Sequence, residues 1–342
     1  MAAASSLPLF DIDGGIPPAP PTAEALDLAA QLQARWGGRC RLGTSSWHFP
    51  GWQGLVWRDA HAESDLSKRG LPAYAQHPLL RTVSLDRAFY RLQTRDDYAR
   101  VALQVPADFR FVVKAPALLT DATVRETGSG KPQALNPQFL DPTLATAGCI
   151  EPALQGLGDQ LGVMVFQLSP LPPHWLQGRG RPLLAALDEL WPPVMAALQG
   201  RALAALEVRD AALLTPELAD QLKAHGVRYA LGLHSRLPVA ADQLPMLRRG
   251  WPGDLVCRWN LQRGLRYTQA KQAWEPFDQL QAPDPVSRAE LARVARATLD
   301  AGRSAFITIN NKAEGSAPLS VLALARELVA PAAAPAAAVT AA

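Results

Sequence analysis

Cysteine is nearly absent: Cys40, Cys149 and Cys257 are the 3 among 342 residues, far apart and without a C-x-x-C pair. An odd, scattered set excludes a disulfide framework and a cysteine zinc site, and it points to reduced thiols in a reducing compartment. No apolar run approaches the roughly 20 residues that span a bilayer. Residues 1–10 hold no basic residue and no long apolar stretch, so no secretory signal is expected. The expected location is cytoplasmic, with no membrane contact. Charge of one sign is missing too, since 34 basic residues face 31 acidic ones, for a net charge of +3. That balance excludes a protein that coats nucleic acid with its whole surface, though not a local basic patch. There is no H-E-x-x-H, no P-loop, no G-x-S-x-G elbow, and no G-x-G-x-x-G after the first apolar run. Neither a cofactor nor a metal is expected.

What is present is an ordinary globular composition, 48% hydrophobic and 19% charged. Pro17, Pro18, Pro20 and Pro21 rule out helix or inner strand around them. Residues 1–38 therefore read as an N-terminal extension, partly disordered, with a short helix over 23–36. Residues 331–342 are an Ala/Pro tail expected to be disordered.

Between these ends, residues 39–330 carry β-favouring apolar runs at 41–45, 80–86, 110–114, 162–167, 202–208, 228–233, 255–259 and 305–310. They are apolar almost throughout, as strands buried on both faces are. Helical periodicity fills most gaps, over 94–104, 182–198, 216–225, 287–301 and 318–329. Strand alternating with helix implies a parallel sheet, and eight repeats imply closure. The predicted fold is α/β, a TIM-like (β/α)8 barrel in a single domain. The connection 115–146, rich in proline and glycine, is long enough to be a lid or binding loop, or else a tolerated insertion.

Barrels of this kind place their chemistry where the strands end. Polar residues stand there: Ser46 after the first run, Asp86 with Tyr90 and Arg91 after the second, Lys114 at the third and Gln167 at the fourth. Glu207 and Arg209 follow the fifth, His234 the sixth, Arg258 and Asn260 the seventh, Asn310 and Asn311 the eighth. Buried charges must pair or face a solvated cavity, so the set reads as a polar pocket or as a network capping the barrel. The cations Arg91, Lys114, Arg209 and Arg258 favour an anion. Between residues 248 and 271 the basic residues Arg248, Arg249, Arg258, Arg263, Arg266 and Lys271 meet one acid, Asp254. Barrels often hold phosphate in these late loops, and arginine forks suit it. Trp47, His48, Phe49, Trp52 and Trp57 after the first run can stack on bases or sugars, or plug the barrel mouth. Asp86 and Glu207 are the candidate catalytic carboxylates, although Glu207 beside cations makes a poor general acid. A metal would have to use Asp86, Glu207 and His234, a weak set.

Gly43-Thr44-Ser45-Ser46-Trp47 with Pro50-Gly51-Trp52, Phe89-Tyr90-Arg91-Leu92, Phe111-Val112-Val113-Lys114, Phe166-Gln167-Leu168, Leu206-Glu207-Val208-Arg209 and Asn310-Asn311 with Gly315, Ala317 and Pro318 resemble the DUF72, or YecE-like, family. The likeness runs in order over 41–329. It implies a TIM-barrel-like fold, likened to the endonuclease IV and xylose isomerase class, and it brings no established activity. The chain departs from the family pattern: Ser84 stands for a glutamate, Asp86 for an asparagine, Ala88 for a threonine, Asp121 for a histidine, Asp210 for a histidine and Trp259-Asn260 for His-Gly. It thus reads as a divergent member.

The expected function is binding of an anionic ligand, phosphorylated or nucleic acid, at the C-terminal face of the barrel. The ligand-binding set is Ser46, Trp47, Tyr90, Arg91, Lys114, Gln167, Glu207, Arg209, Arg258, Asn310 and Asn311. The alternatives are a metal-independent hydrolase using Asp86 or Glu207, and a non-catalytic interaction protein. The sequence assigns no reaction, substrate or protein partner.

Overall fold

The computed structural model describes residues 15–126 and 131–331. The start of the N-terminal extension, the glycines of the 115–146 connection and the Ala/Pro tail beyond residue 331 lie outside the described residues. The helix Ala23–Trp36 buries Leu28, Leu32 and Trp36. The Trp36 indole donates to Asp300 at 2.7 Å, tying this helix to the helix Pro285–Asp300.

Ten strands follow among the described residues. They are β1 (Cys40–Thr44), β2 (Thr82–Leu85), β3 (Arg110–Lys114), β4 (Thr123–Arg125), β5 (Pro132–Leu135), β6 (Leu161–Gln167), β7 (Leu203–Glu207), β8 (Arg228–Leu233), β9 (Leu255–Trp259) and β10 (Ala305–Ile309). Eight of them close a parallel barrel in the order β1-β10-β9-β8-β7-β6-β3-β2. The predicted runs coincide with these eight, and those at 110–114, 228–233 and 255–259 match to the residue. Pairing of Cys40 with Ala305 through Thr44 with Ile309 seals the barrel.

The connection after β3 is not structureless. It holds the helical turn Ala117–Thr120 and the antiparallel hairpin β4–β5. Periodicity missed it because β5 is exposed throughout and so has no apolar face to reveal it.

Period-two alternation determines what the barrel encloses. Val112, Val163, Val165, Ala205, Ala230, Val256 and Phe306 form an apolar cluster inside it. Two residues further along the same faces come Lys114, Gln167, Glu207, Gly232, Arg258 and Thr308. The strands are therefore dry at the floor and polar at their C-terminal ends. The intervening residues, among them Val113, Met164, Leu206 and Cys257, belong to the larger core beneath the helices.

Loops close over the polar end. Trp52 and Trp57 are fully buried, and the Trp52 indole donates to Asn311 Oδ1 at 3.1 Å, joining the loop after β1 to the loop after β10. The Gln281 and Ala282 amides donate to the Glu314 carbonyl at 2.8 and 3.0 Å. Gly51 lies against the same loop: a Cβ there would stand 1.8 Å from the Pro276 carbonyl oxygen. Backbone cannot yield as a flexible side chain can. Gly51→Ala is therefore expected to lower stability by about 1–3 kcal/mol, read as a lower urea midpoint with an unchanged slope. An unchanged midpoint would mean that this approach is loose.

Candidate functional site

Arg258 is the centre of the polar end. It reaches the mouth because it lies two residues beyond Val256 on the inward face of β9, and only 2% of it is exposed. Its Nη1 donates to Glu207 Oε2 at 2.7 Å and to Gln167 Oε1 at 3.2 Å. Its Nη2 donates to both oxygens of Asp86, at 3.0 and 3.2 Å. One guanidinium thus joins β9 to β7, β6 and the end of β2.

Glu207 is fully buried and uses both carboxylate oxygens. Oε1 lies 2.7 Å from Arg209 Nη1 and accepts from Asn260 Nδ2 at 3.0 Å. Arg209 Nη2 donates to Gln167 Oε1 at 2.9 Å. Ser84 donates to Asp86 Oδ1 at 2.6 Å. Burial alone would raise the Glu207 carboxyl, but Arg209 and Arg258 outweigh it and hold it down to about 2. Burial likewise opposes the Arg258 charge, and Glu207 with Asp86 more than restores it. Arg209 is pulled below its ordinary value by burial, Glu207 opposing.

Lys114 has a different environment. It is 8% exposed, and its Nζ lies 3.4 Å from the Phe89 ring centroid. Among the described residues it makes no ion pair within 4.0 Å and no hydrogen bond, yet its Nζ is not one of the partnerless nitrogens sealed from solvent. Burial lowers it to about 8; Asp86 and Glu207 push back while Arg258 and Arg209 add to the fall. Lys312, absent from the expected set, resembles it: 3% exposed, with Nζ 4.2 Å from the Tyr267 ring centroid and 5.3 Å from that of Phe277. Burial and the nearby Lys271 bring it to about 8. Its aromatic neighbours are distant in sequence, so spacing gave no cue; its place just past the eighth strand was the available one.

The remaining expected residues divide. Tyr90 stands at the rim, 83% exposed, with Tyr267 59% exposed nearby. Arg91 turns away to Asp97, 3.3 Å off, at the start of the helix Arg95–Ala102. The Ser46 carbonyl accepts from Thr44 Oγ1 at 2.6 Å, and the Trp47 indole donates to the Leu66 carbonyl at 3.2 Å. Asn310 caps the turn after β10 by accepting from the Lys312 amide at 3.0 Å, and Asn311 accepts from the Ala317 amide at 2.8 Å. These four hold loops. Asp121 and Asp210 do the same: Asp121 pairs with Arg125 at 2.6 Å, and Asp210 accepts from the Leu171 amide at 2.8 Å. Ala88 is buried. Burial, then Arg209, keeps His234 neutral, with a pKa of about 4. Among the described residues no group of three His, Cys, Asp or Glu is placed to hold a metal, and no helix is long and apolar enough to cross a membrane.

The family described as "Protein of unknown function DUF72" matches residues 41–341. A DUF72 family protein of Enterococcus faecalis superposes with a TM-score of 0.56 at 16% identity, over 85% of this chain and 96% of its own. One from Thermotoga maritima superposes with a TM-score of 0.52 at 17% identity, over 84% and 98%. No curated protein matches the sequence.

Glu207→Gln removes the charge that Arg209 and Arg258 share, and it is expected to cost about 3–5 kcal/mol near neutral pH. The stabilisation is complete above pH 4.5, the ordinary value, and is lost as pH falls toward about 2. Urea unfolding near pH 7 and again near pH 3 should therefore show the gap between wild type and variant narrowing in acid. A gap independent of pH would contradict the ionised pair.

Proposed function

Because the chain belongs to the DUF72 family, whose function is unknown, we propose from its own residues that the barrel mouth binds a small anionic ligand, a phosphorylated compound or a nucleic-acid phosphate. The observation that carries this reading is a charge imbalance. Lys114, Arg209 and Arg258 converge on Asp86 and Glu207, and Lys114 is the cation with no carboxylate within 4.0 Å. A buried, unpaired ammonium is costly. An arriving anion would complete the pairing that the protein leaves undone. Lys312, against the Tyr267 and Phe277 rings, adds a second buried cation just past β10. The exposed rings of Tyr90 and Tyr267 offer a rim against which the body of the ligand can rest.

The hydrolase alternative gains nothing from this arrangement. A carboxyl held near 2 and bonded to two guanidiniums is neither a proton donor nor a free base near neutrality. Asp86, bonded to Arg258 and Ser84, is likewise occupied. The interaction-protein alternative would need a contiguous apolar patch; Leu26, Leu103 and Trp251 are exposed on separate elements, while Leu118, Val124 and Leu135 are exposed within the connection that carries β4 and β5.

A thermal-shift panel of sugar phosphates, nucleotides, short single-stranded DNA and neutral sugars tests the proposal. An anion at about 100 times its Kd stabilises by about 2.7 kcal/mol, and the shift should shrink as salt rises. Lys114→Met should abolish the shift while leaving the free protein as stable or more so, because it removes an unpaired buried charge. Shifts confined to neutral sugars, or unaffected by Lys114→Met, would overturn it.

A further inference from the structure

We propose that Lys114 is a carbonyl-capturing amine, whose Nζ forms an imine with a small aldehyde or ketone that also carries a phosphate or carboxylate. The charge of that partner rests on the anion-binding reading above; the role of the amine does not.

Two requirements of such an amine are met on this chain. A lysine nucleophile must be desolvated or set beside other cations, so that its neutral form is populated. Lys114 is 8% exposed at the end of β3, with the Phe89 ring beneath its Nζ and the cations Arg258 on β9 and Arg209 just past β7 among its charged neighbours. With its pKa brought from 10.5 to about 8, its neutral fraction near pH 7 rises roughly 300-fold over an ordinary lysine. The groups that face it are Asp86, Glu207, Arg209 and Arg258. The second requirement is a free lone pair that a reactant can approach. The Nζ makes no ion pair or hydrogen bond among the described residues, and Lys114, 8% exposed, lines a small cavity with Ala115, Cys149 and Met164.

The alternative amine, Lys312, is less suited. It lies against the Tyr267 and Phe277 rings, is 3% exposed, and has Lys271 and Glu275 rather than Arg209 and Arg258 as its charged neighbours.

The step balances without an oxidant or reductant. The Nζ lone pair forms a C–N bond to the carbonyl carbon as the C=O π pair moves to oxygen. The nitrogen loses a proton and the oxygen gains one, giving a carbinolamine. The carbinolamine hydroxyl then takes up a proton, the nitrogen lone pair forms the C=N bond as the C–O bond breaks and water leaves, and the nitrogen gives up its remaining proton to leave the neutral imine.

The test is reductive trapping on the full chain. The protein is incubated with dihydroxyacetone phosphate or pyruvate and sodium cyanoborohydride, digested, and mapped by mass spectrometry. Lys68, Lys114, Lys131, Lys223, Lys271 and Lys312 are the chain's lysines, so the map is unambiguous. The expected result is an adduct concentrated on Lys114, forming at a rate that rises with pH around a midpoint near 8, and absent from Lys114→Arg. Mapping on the wild type decides the matter even if that variant fails to fold. An adduct spread evenly over the other lysines, one on Lys312 alone, or none at all would overturn the proposal. A missing adduct alongside an intact phosphate-dependent thermal shift would sink the amine and leave the anion site standing. Equal trapping of uncharged dihydroxyacetone on Lys114 would instead overturn the anionic partner and the anion site with it.

Discussion

The ion pair between Arg258 and Glu207 governs the polar end of this barrel. Both groups are out of water, where a charge is tolerated only when its partner and its remaining hydrogen bonds are in place. Arg258 meets this condition by using Glu207, Gln167 and Asp86, and Glu207 by using Arg258, Arg209 and Asn260. β8, which lies between β7 and β9, presents Gly232 at the same level, so the pair closes without a side chain between. Gln167, Asp86, Arg209 and Asn260 each contact one member of this pair.

Lys114 is defined by its exclusion from the pair. The two carboxylates are occupied by arginines, which carry a planar fork that a lysine lacks. The ammonium is left over an aromatic ring, and its charge is weakened by burial, to which the same guanidiniums that outcompete it add. The arrangement that stabilises the barrel thus also supplies its least satisfied group.

Much of this was legible in the sequence, for a definite reason. Parallel strands buried on both faces are nearly unbroken apolar runs, so β3, β8 and β9 could be bounded to the residue. The rule that such barrels work at their strand ends then selected Asp86, Lys114, Gln167, Glu207, Arg209 and Arg258, and these do meet. Pairing was not legible, because partners lie on strands far apart in the chain. Ser46, Asn310 and Asn311 sit at strand ends just as the others do, yet the Ser46 carbonyl and the Asn310 and Asn311 Oδ1 atoms are taken up by nearby backbone and loops. Trp52 and Trp57 offered stacking surfaces in sequence and are sealed in the core. Lys312 was overlooked because its cage comes from residues before it, in a segment with no periodic signal.

The spacing of the Arg258 contacts has a consequence for biosynthesis. Its partners Glu207, Gln167 and Asp86 precede it by 51, 91 and 172 residues. On the ribosome the carboxylates emerge long before the guanidinium that neutralises them. Until β9 arrives they must remain hydrated, so the growing chain cannot dry its interior strand by strand. β10 still has to join β1 to complete the ring. Such distant contacts make for slow, late consolidation. The site therefore forms late, and no N-terminal fragment that ends before β9 contains it.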